Sequence, residues 1–118
     1  MVWGYHLIIN AGRCDPAAIR SKATIAEFSR VLVKTIQMKA FGPPRIVRFG
    51  HKSYTGNTLI QLIESSDITA HFIESSNDAY FDLFSCKSFN KADAIAVFKE
   101  FFRPTTIETR FIKRQAKH

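Results

Sequence analysis

The segment ESSDITAHFIESSNDAYFDLFSC, residues 64–86, decides how this chain folds. Strand-forming residues fill DITAHFI (67–73) and AYFDLFSC (79–86), and the second run alternates apolar and polar residues as a half-buried strand does. The polar run between them is typical of a turn. TLIQLIES (58–65), just upstream, is also rich in strand formers. The segment and its upstream neighbour therefore predict three consecutive strands.

Three more strands are predicted outside this segment. YHLIINAG (5–12) is apolar and β-branched and ends at a glycine, RIVRF (45–49) is a short strand-forming run, and TTIETRFIKR (105–114) is the last. CDPAAIRSKA (14–23) is expected to be a turn region because it contains Asp-Pro, and GHKSYTGN (50–57) is expected to be a polar loop.

Two helices are predicted between the strands. TIAEFSRVLVKTIQMKAF (24–41) has Thr24 and Glu27 at capping-box spacing, and the GPP after it stops the helix. KADAIAVFKEFF (91–102) follows Asn90, a residue type that caps helix N-termini. Each helix has apolar residues at helical spacing, which are Ile25, Phe28, Leu32 and Ile36 in the first and Ile95, Phe98 and Phe102 in the second.

The order of these elements predicts one α+β domain over residues 1–118. We expect a two-layer sandwich in which both helices pack on one face of a mostly antiparallel sheet. A length of 118 residues fits a single domain, and a hydrophobic content of 46% is sufficient for a core.

The composition argues against several classes of protein. No apolar run approaches the roughly 20 residues that span a bilayer, and the N-terminus lacks the pattern of a signal peptide, so a cytoplasmic protein is expected. Two cysteines are too few for a disulfide framework, and the four histidines show no metal-ligand spacing, so no metal is expected. The net charge of +7 permits nucleic-acid binding, but the basic residues are scattered.

Ser66, His71 and Cys86 are the candidate catalytic residues of the central segment. They fall on neighbouring predicted strands, and a hairpin could bring them together. The same pattern is also typical of a serine in a turn, a hydrogen-bonded structural histidine and a packed cysteine. Both interpretations stay open on the pattern alone.

Three longer stretches resemble the bacterial type of S-adenosylmethionine decarboxylase. YHLIINAGRCDP (5–16) resembles that family's opening strand, AYFDLFSC (79–86) its strand ending in a catalytic cysteine, and NKADAIAVFKEFFRPTTIETRFIKR (90–114) its last helix and strand. The serine-to-histidine and histidine-to-cysteine spacings of the central segment match the family without a gap. The resemblance covers nearly the whole chain and implies the family's fold.

The resemblance also implies a chain that cuts itself to make its own cofactor. In the family, a serine hydroxyl attacks the carbonyl before it, and elimination from the resulting ester leads to a pyruvoyl group. Here the serine would be Ser66, which gives chains 1–65 and 66–118. His71 matches the residue that removes the proton for elimination. Thr58 falls where the family has a serine that assists processing.

A decarboxylation is the reaction that the resemblance implies. The pyruvoyl carbonyl forms a Schiff base with the substrate amine and accepts the electrons released as CO₂ leaves. Cys86 matches the family's proton donor, which protonates the product carbon. The implied substrate is S-adenosylmethionine, whose product donates an aminopropyl group in spermidine synthesis, and the implied assembly is a homodimer.

Two positions beside the processed serine depart from the family pattern. The family has Glu before this serine and His after it, whereas Ser65 and Asp67 stand here. A register shift of one residue would make Ser65, directly after Glu64, the source of the pyruvoyl group. Ser66 is preferred because its register also aligns the following strand.

The positions implied to recognise adenosine depart further. Lys52 stands where the family has the phenylalanine that stacks on adenine, and Phe49 lies three residues earlier. Ser75 stands where the family has the carboxylate that binds the ribose, and Glu74 is one residue early, which on a strand turns its side chain to the other face. These four residues are the candidate substrate-binding residues.

Four functions remain open. The first is decarboxylation of S-adenosylmethionine, and the second is the same pyruvoyl chemistry on a small amino acid such as ornithine or arginine, which the lost adenosine contacts favour. The third is an unprocessed, non-catalytic homologue or regulatory partner, which SSD in place of ESH favours. The fourth is an RNA-binding domain that stacks bases on strand aromatics, although the basic-aromatic motif of such domains is absent.

Overall fold

The structure, a computed structural model, describes residues 2–118. Six strands form one sheet in the order β2-β3-β4-β5-β1-β6, and every neighbouring pair is antiparallel. The strands are β1 (Gly4–Gly12), β2 (Arg45–Phe49), β3 (Gly56–Ile63), β4 (Ser66–Ile73), β5 (Asp78–Ser85) and β6 (Thr106–Arg114). The helices are α1 (Pro16–Arg20), α2 (Lys22–Thr35) and α3 (Lys91–Phe102), and a 3₁₀ turn spans Lys52–Tyr54. The predicted α+β sandwich is confirmed.

The first helix was not predicted, because its residues were expected to form a turn. Asp15 accepts a hydrogen bond from the backbone N–H of Ala17 at 3.1 Å, and Pro16 occupies the first helical position, where a missing N–H costs nothing. At five residues, α1 is too short to show a helical period.

The second helix begins earlier than predicted. The side chain of Ser21 accepts a hydrogen bond from the N–H of Thr24 at 3.1 Å, so Ser21 and not Thr24 is the N-cap. Glu27 forms an ion pair with Arg30 instead of closing a capping box. The helix ends at Thr35, so the predicted extension to residue 41 is also wrong.

The two faces of the sheet differ in their surroundings. Both long helices cover one face, which carries alternate apolar residues such as Leu7, Leu59 and Leu83 at 0% exposure. The opposite face, here called the open face, is covered by none of the described helices. Its central strands present His6, Ile8, Thr58, Ile60, Leu62, Asp67, Thr69, His71, Tyr80, Asp82 and Phe84.

Phenylalanine rings hold the helices on the covered face. Phe28 of α2 lies 5.8 Å from Phe98 and 4.8 Å from Phe102 of α3, measured between ring centroids. Phe28 also lies 5.9 Å from Phe81 of β5 in an edge-to-face arrangement. Burial of each ring contributes about 1.5–3 kcal/mol. No helix among residues 2–118 is both long and apolar enough to cross a membrane.

Candidate active site

Ser66 follows a tight turn at the start of β4. Ile63 and Ser66 are paired in the sheet, so Glu64 and Ser65 alone connect β3 to β4. Ser65 has a φ angle of 56°, a left-handed conformation that residues with a Cβ atom rarely adopt. The peptide bond between Ser65 and Ser66 therefore joins a strained turn residue to a central strand.

The Ser66 side chain is held in a hydrogen-bonded cluster with the end of β5. Ser66 is 8% exposed, and its hydroxyl donates to Oγ of Ser85 at 3.1 Å. The backbone N–H of Cys86 donates to Oγ of Ser66 at 3.3 Å. Strand register explains this proximity, because Ser66 pairs directly with Ser85. The structure therefore brings the candidate residues Ser66 and Cys86 together.

A small pocket lies beside this cluster. Its volume is about 230 Å³, and it is lined by Met38, Lys39, Ile63, Glu64, Ser65, Cys86 and Lys87. Pockets that enclose a whole ligand usually measure about 300–1,000 Å³. The pocket is thus large enough for the reacting end of a substrate, and the rest of a larger substrate would extend beyond it.

His71 does not join this cluster. It lies five residues further along β4 than Ser66, which is about 17 Å at roughly 3.4 Å per residue. An odd separation also turns its side chain to the open face, whereas Ser66 points to the covered face. Nδ1 of His71 instead lies 3.0 Å from Oγ1 of Thr58 on β3. Within one chain, therefore, the structure brings Ser66 and Cys86 together but places His71 apart from them.

The candidate substrate-binding residues lie at the other end of β4. Phe49 ends β2 with 58% of its surface exposed, and Lys52 opens the 3₁₀ turn with an exposed side chain. The Ser75 hydroxyl donates to the backbone carbonyl of Ser53 at 2.9 Å. These residues and Ser66 sit at opposite ends of the strand, so one chain alone does not unite them.

Glu74 is already engaged by an arginine. Nε and Nη2 of Arg48 lie 2.7 Å and 3.0 Å from the two carboxylate oxygens of Glu74. This hydrogen-bonded pair lowers the pKa of Glu74 below its usual range. The backbone carbonyl of Glu74 also accepts from Nη2 of Arg20 at 2.8 Å. The carboxylate is therefore charged and fixed at neutral pH, with fewer lone pairs left for sugar hydroxyls.

Sequence reasoning missed two parts of the site. Oδ1 of Asp82 lies 2.9 Å from Nε2 of His6 on the open face, near Asp67. The pKa of Asp67 is raised above its usual value, chiefly by burial. The nearby His6 opposes this rise, and the Asp82 carboxylate adds to it. The second missed part is Ser85, whose contact with Ser66 depends on a strand pairing that one sequence does not reveal. The only signal for Ser85 was its position directly before Cys86.

Comparison with known proteins identifies the class of this chain. The family model for S-adenosylmethionine decarboxylase matches residues 5–115. The crystal structure of the adenosylmethionine decarboxylase from Aquifex aeolicus VF5 superposes with a TM-score of 0.83 at 20% sequence identity, and the match covers 99% of this chain and 94% of that chain. At this identity the likeness shows the fold alone. No curated protein matches the sequence.

The fold and the family match define a protein of the decarboxylase type. More specifically, the chain belongs to the S-adenosylmethionine decarboxylase family, because the family model covers nearly its whole length. The resemblance drawn from the sequence is thereby confirmed. Members of this family generally depend on a pyruvoyl group and act in polyamine synthesis.

Proposed function

We propose that this chain is a self-processing, pyruvoyl-dependent decarboxylase that acts on S-adenosylmethionine and supplies spermidine synthesis. The observation that carries the proposal is the contact between Ser66 and Cys86. A buried hydroxyl stands directly after the strained Ser65 residue, and the backbone of a half-exposed cysteine donates a hydrogen bond to it. Family membership supports the class of reaction.

Processing would begin at the bond between Ser65 and Ser66. Oγ of Ser66 forms a bond to the carbonyl carbon of Ser65, the C–N bond breaks, and the hydroxyl proton passes to the released amine. Removal of the Cα proton of Ser66 then expels the Ser65 carboxylate. Water then hydrolyses the dehydroalanine that remains. The nitrogen leaves as ammonia, and chain 66–118 begins with a pyruvoyl group. If Ser65 were the processed residue, its Oγ would instead attack the carbonyl carbon of Glu64, and the same steps would follow.

The chain's residues fit a pyruvoyl group at position 66. The strand pairing with β5 anchors this position after cleavage, and the N–H of Cys86 is directed at it. A pyruvoyl group there would supply an acceptor for the electron pair released when the substrate loses CO₂. Cys86 is one of the residues that line the 230 Å³ pocket, and its thiol would then return a proton to the product carbon.

A second copy of the chain would complete the site. His71 and Thr58 lie on the open face, and the candidate substrate residues lie far from Ser66. The open face also exposes large apolar side chains, with Ile60 at 42%, Leu62 at 51% and Tyr80 at 47%. A two-fold homodimer that stacks these faces would bring the histidine end of one chain to the serine end of the other.

A small amino acid is the second candidate substrate. Arg48 occupies the carboxylate of Glu74, and Lys52 offers no aromatic surface for adenine. In addition, Asp67 and Asp82 place carboxylates on the open face, where they could pair with a cationic side chain. These observations support ornithine or arginine as the alternative to S-adenosylmethionine.

Release of CO₂ from carboxyl-labelled substrates tests the proposal. The purified protein is assayed in parallel with S-adenosylmethionine, ornithine and arginine, and the Ser66→Ala variant, which cannot form the pyruvoyl group, serves as the control for background. We expect release from S-adenosylmethionine. Release from ornithine or arginine alone would establish the second candidate, and no release from any of the three would favour a non-catalytic homologue.

A further inference from the structure

Ser85 is fully buried at the end of β5, where it pairs with Ser66 of the neighbouring strand β4. Its Oγ accepts hydrogen bonds from the Ser66 hydroxyl at 3.1 Å and from the backbone N–H of Lys87 at 3.0 Å. Its own hydrogen points to Sδ of Met38 at 3.6 Å, and a thioether is a weak acceptor. Both lone pairs of the Ser85 oxygen are therefore in use.

This network gives the Ser66 hydroxyl a defined direction. Its hydrogen points to Ser85, and one of its two lone pairs accepts from the N–H of Cys86. The second lone pair is the one that remains available for attack. Ser65 differs, because it is exposed and its hydroxyl makes none of the hydrogen bonds found among residues 2–118.

We propose that Ser85 is a positioning residue for self-processing, which holds the Ser66 hydroxyl for attack and so makes Ser66, rather than Ser65, the processed residue. The inference rests on the proposed function. Ser85 exchanges no atoms in the step. It accepts the hydrogen bond of Ser66 until the proton passes to the released amine, while the Ser66 Oγ–carbon bond forms and the C–N bond breaks.

The time course of cleavage tests this role. The full chain is synthesised in a cell-free system, samples are quenched in denaturant, and intact masses give both the rate and the position of the cut. We expect Ser85→Ala to process about tenfold more slowly at Ser66, since a lost hydrogen bond of ordinary strength corresponds to about one decade in rate. Cuts at Ser65 should become detectable. Ser85→Thr, which retains the hydroxyl, should restore the rate.

Ser29→Ala is the matched control. Ser29 is also fully buried, and its hydroxyl donates to Oε1 of Gln61 at 3.3 Å rather than to a member of the Ser66 cluster. Its loss should leave the rate unchanged. If Ser85→Ala does not fold, Ser85→Cys replaces it, because a thiol has nearly the same shape but only weak hydrogen bonds.

The outcomes separate the two proposals. A wild-type chain that cleaves, together with a folded Ser85→Ala or Ser85→Cys chain that cleaves equally fast and only at Ser66, overturns the role of Ser85 alone. A wild-type chain that stays intact overturns the proposed function and this role with it. Slower or misplaced cleavage, with the Ser29→Ala control unaffected, establishes Ser85 as the positioning residue.

Discussion

The hydroxyl of Thr58 and Nδ1 of His71 lie 3.0 Å apart across β3 and β4, on the face of the sheet opposite the Ser66 side chain. This contact fixes the imidazole ring and leaves Nε2 without a hydrogen-bond partner among residues 2–118. When the Nδ1–H of His71 donates to Thr58, Nε2 carries a free lone pair and can remove a proton. Within one chain, however, no Ser66 proton lies within its reach, and this separation is the structural basis for the proposed dimer.

Replacement of the processed serine should abolish cleavage. Ser66→Ala removes the buried hydroxyl that is proposed to attack the Ser65 carbonyl, so we expect an intact chain on a denaturing gel and by mass. Ser65→Ala should still cleave, because the Ser65 hydroxyl takes no part in the cluster. The opposite pattern, with cleavage in Ser66→Ala and none in Ser65→Ala, would move the processed residue to Ser65.

Loss of His71 should stop processing at the ester. The acyl shift needs only Ser66 and its neighbours, whereas elimination needs a base for the Cα proton. His71→Ala should therefore accumulate an ester that hydroxylamine cleaves, while wild type shows no such sensitivity. Thr58→Ala should slow the same step more mildly, because the histidine remains but loses its fixed orientation.

Co-expression of two variants tests whether His71 acts between chains. A His71→Ala chain retains its own Ser66, and a Ser66→Ala chain retains a working His71. Mixed dimers should process the Ser66 of the first chain, and tags of different mass identify which chain is cut. Processing that fails in the mixture, despite dimers confirmed by light scattering, would contradict a shared site.

Cys86→Ala should separate processing from turnover. The thiol is proposed to protonate the product carbon, which comes after cleavage, so the variant should still yield two chains. Its turnover should fall by about 10²–10⁴-fold, the usual contribution of a general acid. Wild-type turnover in this variant would show that Cys86 takes no part in the reaction.

Cys14 should make the fold sensitive to alkali. Burial, with a smaller contribution from Asp78, raises the pKa of this thiol from its ordinary value of 9.0 to about 11. Below pH 9.0 the thiol is neutral in both states, and above it only the unfolded chain ionises, so stability falls as the pH rises towards 11. The loss should reach about 2–3 kcal/mol by the upper end of this window.

Urea unfolding at several pH values checks this expectation. The free energy of unfolding of Cys14→Ala should be lower than that of wild type near neutral pH, because the core loses a buried group. Its decline with rising pH should be shallower, because no thiol ionises at that position. Parallel curves for the two proteins would contradict a raised pKa at Cys14.

Parts of the fold with strong local signals were predictable from the sequence. Residues 45–49 and 91–102 were assigned with the observed bounds, the latter because Asn90 caps α3 and Pro104 follows it. The start of α2 was missed because Ser21 and Thr24 are both good caps, and only tertiary packing decides between them.

The candidate site was predictable in part. Successive side chains on a strand alternate between the two faces of the sheet. Because Ser66 and His71 are five residues apart on β4, the sequence already implied that their side chains lie on opposite faces. The contact of Ser66 with Ser85 depends on strand register, and the pairing of Glu74 with Arg48 joins residues from different strand ends. Neither follows from local pattern.

The intact mass of the purified protein under denaturing conditions tests the central claim most directly. We predict two chains, of which the second begins at position 66 with a pyruvoyl group in place of an amino terminus. Sodium borohydride should shift the mass of that chain alone, because it reduces the keto group. A single species of 13.4 kDa that retains all residues would contradict self-processing and the decarboxylase mechanism that depends on it.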